Sequence, residues 1–116
     1  MKTASANTTN RRAGPRKILR RAATLVLPGG LEREVRTWDL GVDGLCILSS
    51  KPISPGSRCQ VTFDVPLSED RSSTVTVPVK VVYSSFSGAE GFKVGTVFSG
   101  LDDDSADAIT EFATRL

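Results

Sequence analysis

The sequence predicts a mainly β fold: a small six-stranded antiparallel β-barrel with a flexible basic N-terminal arm and a C-terminal α-helix. Three observations carry that expectation. Short apolar, β-branched runs of period two recur between residues 22 and 98, separated by Gly-, Pro- and Ser-rich turns, which is the pattern of an all-β barrel or sandwich. Residues 102–116 switch to apolar spacing of helical period behind a cluster of aspartates. The charge is also divided along the chain. Lys2, Arg11, Arg12, Arg16, Lys17, Arg20 and Arg21 stand in the first 21 residues without an acid, whereas the remainder holds the other 8 of 15 basic residues and all 13 acids. A +7 head on a −5 body points to an arm that meets an anion, because charge concentrated in one segment steers and holds phosphates.

Each element follows in order. Residues 1–15 (MKTASANTTNRRAGP) are polar and closed by Gly14-Pro15, so they are expected as a disordered basic tail, followed by one domain over residues 16–116. Within that domain the arm is residues 16–21, the barrel 22–98 and the helix 102–116. The first strand is expected at 22–27, ending at Pro28-Gly29-Gly30, the second at 34–40, and the third at 45–49 after the tight connection Gly41-Val42-Asp43-Gly44. Residues 51–57 (KPISPGS) read as a loop. In the fourth strand, 59–65, alternation puts Cys59, Val61, Phe63 and Val65 on one face. A polar loop is expected at 68–73. The fifth strand, 74–83, carries Pro78, which suggests an edge position or a bulge because proline has no N–H for the ladder. A turn at 84–91 leads to the last strand, 92–98, where Gly95 suggests a bulge or close approach. In the helix, Asp102, Asp103, Asp104 and Asp107 suit the positive end of the dipole and Arg115 falls in the last turn, while Ala108, Ile109, Phe112 and Leu116 form the face that plugs the sheet.

Composition narrows the function classes. At 39% hydrophobic and 24% charged the chain is an ordinary globular domain. It has no apolar run near the roughly 18 residues that a membrane helix needs, and no secretory signal pattern, so a cytoplasmic location without membrane insertion is expected. There is no histidine. That removes Ser-His and Cys-His arrangements, and two isolated cysteines, Cys46 and Cys59, do not make a zinc site. They are expected as two small buried thiols rather than a disulfide. No catalytic constellation, metal site or cofactor is expected, and the chain is read as a non-enzyme.

Two features carry chemistry. Arg16-x-x-x-Arg20 places two guanidiniums ahead of the first strand, each able to bind phosphate or a guanine edge bidentately or to stack on a base. Taken alone it reads more readily as a solvated, nucleic-acid-attracting basic tail. Asp39-Leu40-Gly41-Val42-Asp43-Gly44 offers a carboxylate acceptor beside a glycine turn open to close approach, or simply a hairpin turn. Trp38 has two readings as well, packing or partner contact being preferred over base stacking. Alternation puts it on the face opposite Asp39, with Arg36 and Leu40. Tyr83 and the five phenylalanines are read mostly as core.

In this order, RKILR (Arg16 to Arg20) and DLGVDG (Asp39 to Gly44), 18 residues apart, resemble the RxxxR and (D/N)xSxxG signature of the PilZ domain family. The closing VPVKVVY, FKVGTVFSGL and terminal helix extend the resemblance to residues 11–116. It implies a six-stranded barrel that binds cyclic di-GMP, with the arm wrapping across the ligand. Arg16 and Arg20 would contact phosphate and guanine, Asp39 would accept from guanine N1 or N2, and Gly44 would permit the turn. Gly41 stands where the family usually has serine; the lost hydroxyl would weaken binding by up to about tenfold. Arg21, Arg12 and Arg11 are auxiliary candidates for the ligand.

The resemblance therefore implies a cyclic di-GMP receptor or adaptor whose arm changes conformation on binding and passes the signal to an effector protein or catalytic domain. The alternatives are a basic-armed barrel that binds RNA or DNA, and a PilZ-like adaptor that no longer binds nucleotide. Nucleic acid is opposed by the acidic body and the few aromatic residues.

Overall fold

The computed structural model describes residues 16–115. Its elements are β1 (Arg16–Ile18), β2 (Ala22–Val26), β3 (Glu32–Gly41), β4 (Gly44–Ser49), β5 (Arg58–Ser68), β6 (Arg71–Phe86), a 3-10 turn (Gly88–Glu90), β7 (Phe92–Phe98) and α1 (Asp103–Thr114). Neighbouring strands run β3-β2-β5-β6-β7-β4, and β4 pairs back onto β3, so six antiparallel strands close a ring. A seventh, β1, lies along β3 outside that ring.

Alternation builds the interior. Cys59, Val61, Phe63 and Val65 of β5 point inward as their spacing predicts, and meet Val75, Val77, Val79 and Val81 of β6, Leu25 of β2 and Leu45 and Ile47 of β4. Helix α1 closes one end with Ala108, Ile109 and Phe112. Each large apolar side chain so buried stabilises the fold by roughly 1.5–3 kcal/mol. The helix begins at an N-cap, Asp102, whose carboxylate accepts from the Ser105 amide at 2.7 Å. Both cysteines are buried and free.

Several boundaries differ from the sequence expectation. The hairpin of β5 and β6 pairs through Ser68 and Arg71, leaving Glu69-Asp70 as a two-residue turn where a six-residue loop was expected. Backbone pairing needs no apolar side chain, so polar Arg71, Ser72 and Ser73 continue the ladder. At the other end β6 runs on to Phe86, shortening the turn expected at 84–91. Pro78 is neither on an edge strand nor in a bulge. It sits opposite Gln60 with its carbonyl accepting from Ser99, just past the Val79–Phe98 pair that ends the β6–β7 ladder, so its missing N–H faces the end of that ladder. Arg115 caps the helix from outside it in an extended conformation rather than standing in its last turn. Leu116 and the 1–15 tail lie outside the described residues.

Candidate functional site

The basic arm is a strand in the structure. β1 pairs antiparallel with the end of β3, Arg16 opposite Gly41 and Ile18 opposite Asp39, and β2 continues along the same side of β3. Between them Leu19 to Arg21 loop around Thr37. The Leu19 amide donates to the Trp38 carbonyl and the Thr37 amide to the Arg21 carbonyl, while the buried Thr37 hydroxyl accepts from the Arg21 amide and donates to the Leu19 carbonyl. Leu19 is buried in the core. On β1 itself Lys17 reaches α1, donating to the Arg115 carbonyl and lying 5.6 Å from the Phe112 ring centroid. The arm is therefore tied down at several points.

Two β-bulges shape the surface beside it. On β3, Thr37 pairs with Ile47 and Asp39 with Cys46, which leaves Trp38 as an extra residue. On β6, Val81 pairs with Thr96 and Tyr83 with Gly95, which leaves Val82 as the extra one. A bulge reverses the inside–outside alternation beyond it. Thus Leu40 becomes fully buried and Asp39 turns outward with Trp38, contrary to the alternation that grouped Trp38 with Leu40. Tyr83 turns outward next to Val82 and is 46% exposed, so it is not a core residue, and neither is Phe86 at 72%. Phe63 and Phe112 are in the core, and Phe92 and Phe98 pack against it.

The result is a cleft of about 330 Å³ lined by Arg16, Asp39, Cys46, Tyr83 and Lys93, among others. Arg16 is its centre. Its Nε and Nη2 both donate to Asp39 Oδ1, at 3.0 and 2.8 Å, and its Nη1 donates to Asp43 Oδ1 at 3.0 Å. Asp43 reaches it from the β3–β4 turn. That turn depends on Gly44, where a β-carbon would stand 2.1 Å from the Thr96 carbonyl oxygen. Gly44 is thus required for close approach of β7 and not for a left-handed turn conformation. Gly95 forms the floor under Tyr83, whose ring lies where its β-carbon would be. The Tyr83 hydroxyl is 3.9 Å from Cys46 Sγ. Burial pushes the Cys46 thiol up, and the neighbouring Asp39 charge adds to the shift; burial likewise raises the Tyr83 phenol.

Arg20 occupies the adjoining surface. Its guanidinium lies on the Trp38 ring, 3.6 Å from the centroid, and Lys93 Nζ lies 5.2 Å from the same ring. Lys93 therefore links the Arg16 cleft with the Arg20–Trp38 stack. Beyond Trp38 a wider groove of about 670 Å³ is lined by Arg20, Arg36, Glu34, Ser50 and Glu90, among others.

Of the sequence-derived candidates, the fold brings Arg16, Asp39, Gly41 and Gly44 together, with Arg20 on the adjoining stack. Arg21 is directed elsewhere, toward the β5–β6 hairpin tip with Glu69 and Asp70. Arg11 and Arg12 lie outside the described residues. Asp43, Tyr83 and Lys93 were not singled out by the sequence. Asp43 was visible only as part of a common Asp-Gly turn, and no pattern in a single sequence distinguishes Lys93 from any solvent-facing strand lysine. Among the described residues no group of His, Cys, Asp or Glu could hold a metal, and no helix is long and apolar enough to cross a membrane.

The fold has solved counterparts. The inhibitor of motility MotI/DgrA of Bacillus subtilis superposes with a TM-score of 0.76 at 13% identity, over 89% of this chain and 49% of that one. The PlzA protein of Borreliella burgdorferi, solved in complex with c-di-GMP, superposes with a TM-score of 0.67 at 15% identity, over 91% of this chain and 42% of that one. The chain thus spans about half the length of these proteins or less, and the likeness at such identity is one of fold. No curated protein matches it in sequence. The PilZ domain family, in contrast, matches in sequence over residues 10–115, so that the arm, the glycine turn, the closed ring and the terminal helix all fall within one family match, and this chain belongs to the PilZ domain family.

Proposed function

We propose that the chain is a receptor module for cyclic di-GMP, in which Arg16, Arg20, Asp39, Gly41 and Gly44 form the ligand site. The observation that carries this reading is the convergence of the arm and the turn. Arg16 of β1, Arg20 of the β1–β2 connection and the acceptor carboxylate of Asp39 on β3 share one outward surface, with a tryptophan face beside them. A cyclic dinucleotide has the matching chemistry: two phosphates for guanidiniums, flat guanines for the Arg20–Trp38 stack, and N–H donors for Asp39. The PlzA neighbour, crystallised with this ligand, supports the same reading.

In this reading the module acts by binding and not by catalysis. Engagement of Arg16 and Arg20 reorganises the arm, and the changed surface is read by an effector protein or a catalytic domain in the cytoplasm. Lys17 offers a route, since one strand presents Arg16 to the cleft and Lys17 to α1. A ligand shifts such an equilibrium only through contacts that differ between the two states, and the arginine contacts are of that kind.

Isothermal titration with cyclic di-GMP tests the proposal. Saturable binding is expected, with Arg16→Ala or Arg20→Ala weakening the dissociation constant about 10- to 150-fold through loss of a charge-assisted bond. Absence of heat at high micromolar protein, or an unchanged affinity in the Arg20→Ala variant, would sink it.

A further inference from the structure

We infer that Asp43 is a built-in competitor for the ligand's phosphate, holding Arg16 in the empty site and giving it up on binding. The inference rests on the cyclic di-GMP reading above.

Arg16 has two hydrogen-bonding edges, and both are in use. Asp39 takes the Nε/Nη2 edge with two contacts, whereas Asp43 takes Nη1 with one. A phosphate seeking a guanidinium fork must displace a carboxylate, and the singly bonded Asp43 is the weaker holder. Asp39 has a second task in the ligand complex, as acceptor for guanine; Asp43 has no other side-chain partner in the described structure.

The Asp43 carboxylate is also not needed to shape its turn. Its carbonyl accepts from the Phe98 amide at 3.0 Å, Gly44 pairs with Val97, and Gly44 is packed against the Thr96 carbonyl. The backbone would keep its course with a neutral side chain at position 43. The carboxylate is about one-third exposed (34%), so water can receive it when Arg16 leaves.

Electrostatics gives the same sign. Arg16 and Lys93 in the cleft are matched by Asp39 and Asp43, so the cleft itself presents no net positive charge to an anion, and Arg20 stands outside it on the adjoining stack. Removing the Asp43 charge leaves one unbalanced cation where a phosphate must sit. Asp43 thereby sets a threshold: a monoanion gains too little to exchange for it, whereas a dinucleotide adds base contacts to its two phosphates.

The test is titration of the full chain and its Asp43→Asn variant with cyclic di-GMP, with thermal melting to verify folding. Nuclear magnetic resonance of the Arg16 guanidinium in the ligand-free proteins reads the clamp directly. Asp43→Asn is expected to bind about three- to tenfold more tightly, and its Arg16 guanidinium to rotate faster than in the wild type. If the wild type binds and Asp43→Asn binds equally or more weakly, or if Arg16 rotation is unchanged, this inference fails while the receptor reading stands. If neither protein binds cyclic di-GMP, the receptor reading fails and this inference with it. Binding by the variant alone supports the clamp and overturns the receptor reading for the natural chain.

Discussion

The Arg20 guanidinium carbon lies over the Trp38 indole, 3.6 Å from the ring centroid, because Trp38 faces outward on β3 on the side where the chain loops around Thr37. The stack leaves the outer face of a guanidinium, or the indole itself once Arg20 moves, as a platform for a planar base.

Trp38 is the sole tryptophan, so its fluorescence reports on this stack without labelling. Adding cyclic di-GMP is expected to shift its emission, and Trp38→Ala to weaken binding about tenfold. An emission and an affinity both untouched would leave Trp38 as a packing residue.

Gly44 and Gly95 both lack room for a β-carbon, but for different reasons. At Gly44 the obstacle is the Thr96 backbone, and at Gly95 it is the Tyr83 ring, which can swing away. Gly44→Ala is expected to destabilise the fold by about 3 kcal/mol and Gly95→Ala by about 1 kcal/mol, measured by urea denaturation. Equal costs would contradict the close β4–β7 approach as the controlling contact.

The two buried thiols set an alkaline limit on stability. Burial is the leading cause that holds Cys46 and Cys59 above the ordinary value of 9.0, so the folded chain binds their protons more tightly than the unfolded chain does. Their contribution is complete below pH 9.0 and is lost as pH rises through the folded values. Melting temperature against pH should therefore fall above about pH 9, and fall less in a Cys46→Ala, Cys59→Ala double variant. Parallel profiles for the two proteins would refute this assignment.

Asp102 sets the opposite limit. The hydrogen bond from the Ser105 amide holds its carboxyl below the ordinary value of 3.8. Its contribution is present above that value and is lost as pH falls through the lowered one. Asp102→Ala should lower the melting temperature by about 5 °C at pH 7, and Asp102→Asn by less because asparagine also caps helices. An Asn variant as damaged as the Ala variant would argue against capping as its role.

Much of this protein was legible in its residues. Period-two alternation over Cys59, Val61, Phe63 and Val65, and helical spacing over Ala108, Ile109 and Phe112, identified the two faces that fill the barrel. These readings held because burying an apolar face is a local, periodic requirement that a single sequence displays. The arginine pair, Asp39 and Gly44 stood out for a different reason, since in this order they resemble the family signature.

What the sequence determined was thus the ring of six strands, the terminal helix with its acidic start, the charge division between arm and body, and the residues that resemble the family signature. The tertiary structure decided where those residues face. Bulges at Trp38 and Val82 broke the alternation, turned Asp39 and Tyr83 outward and sent Leu40 inward. Pairing of β1 with β3 then carried Arg16 to Asp39 and Asp43, and the β3–β4 and β4–β7 ladders brought Lys93 beside Trp38. A bulge arises from the mismatch of two paired strands, and a cleft from strands distant in the chain. Both depend on contacts between segments, so neither is written in the period of any one of them.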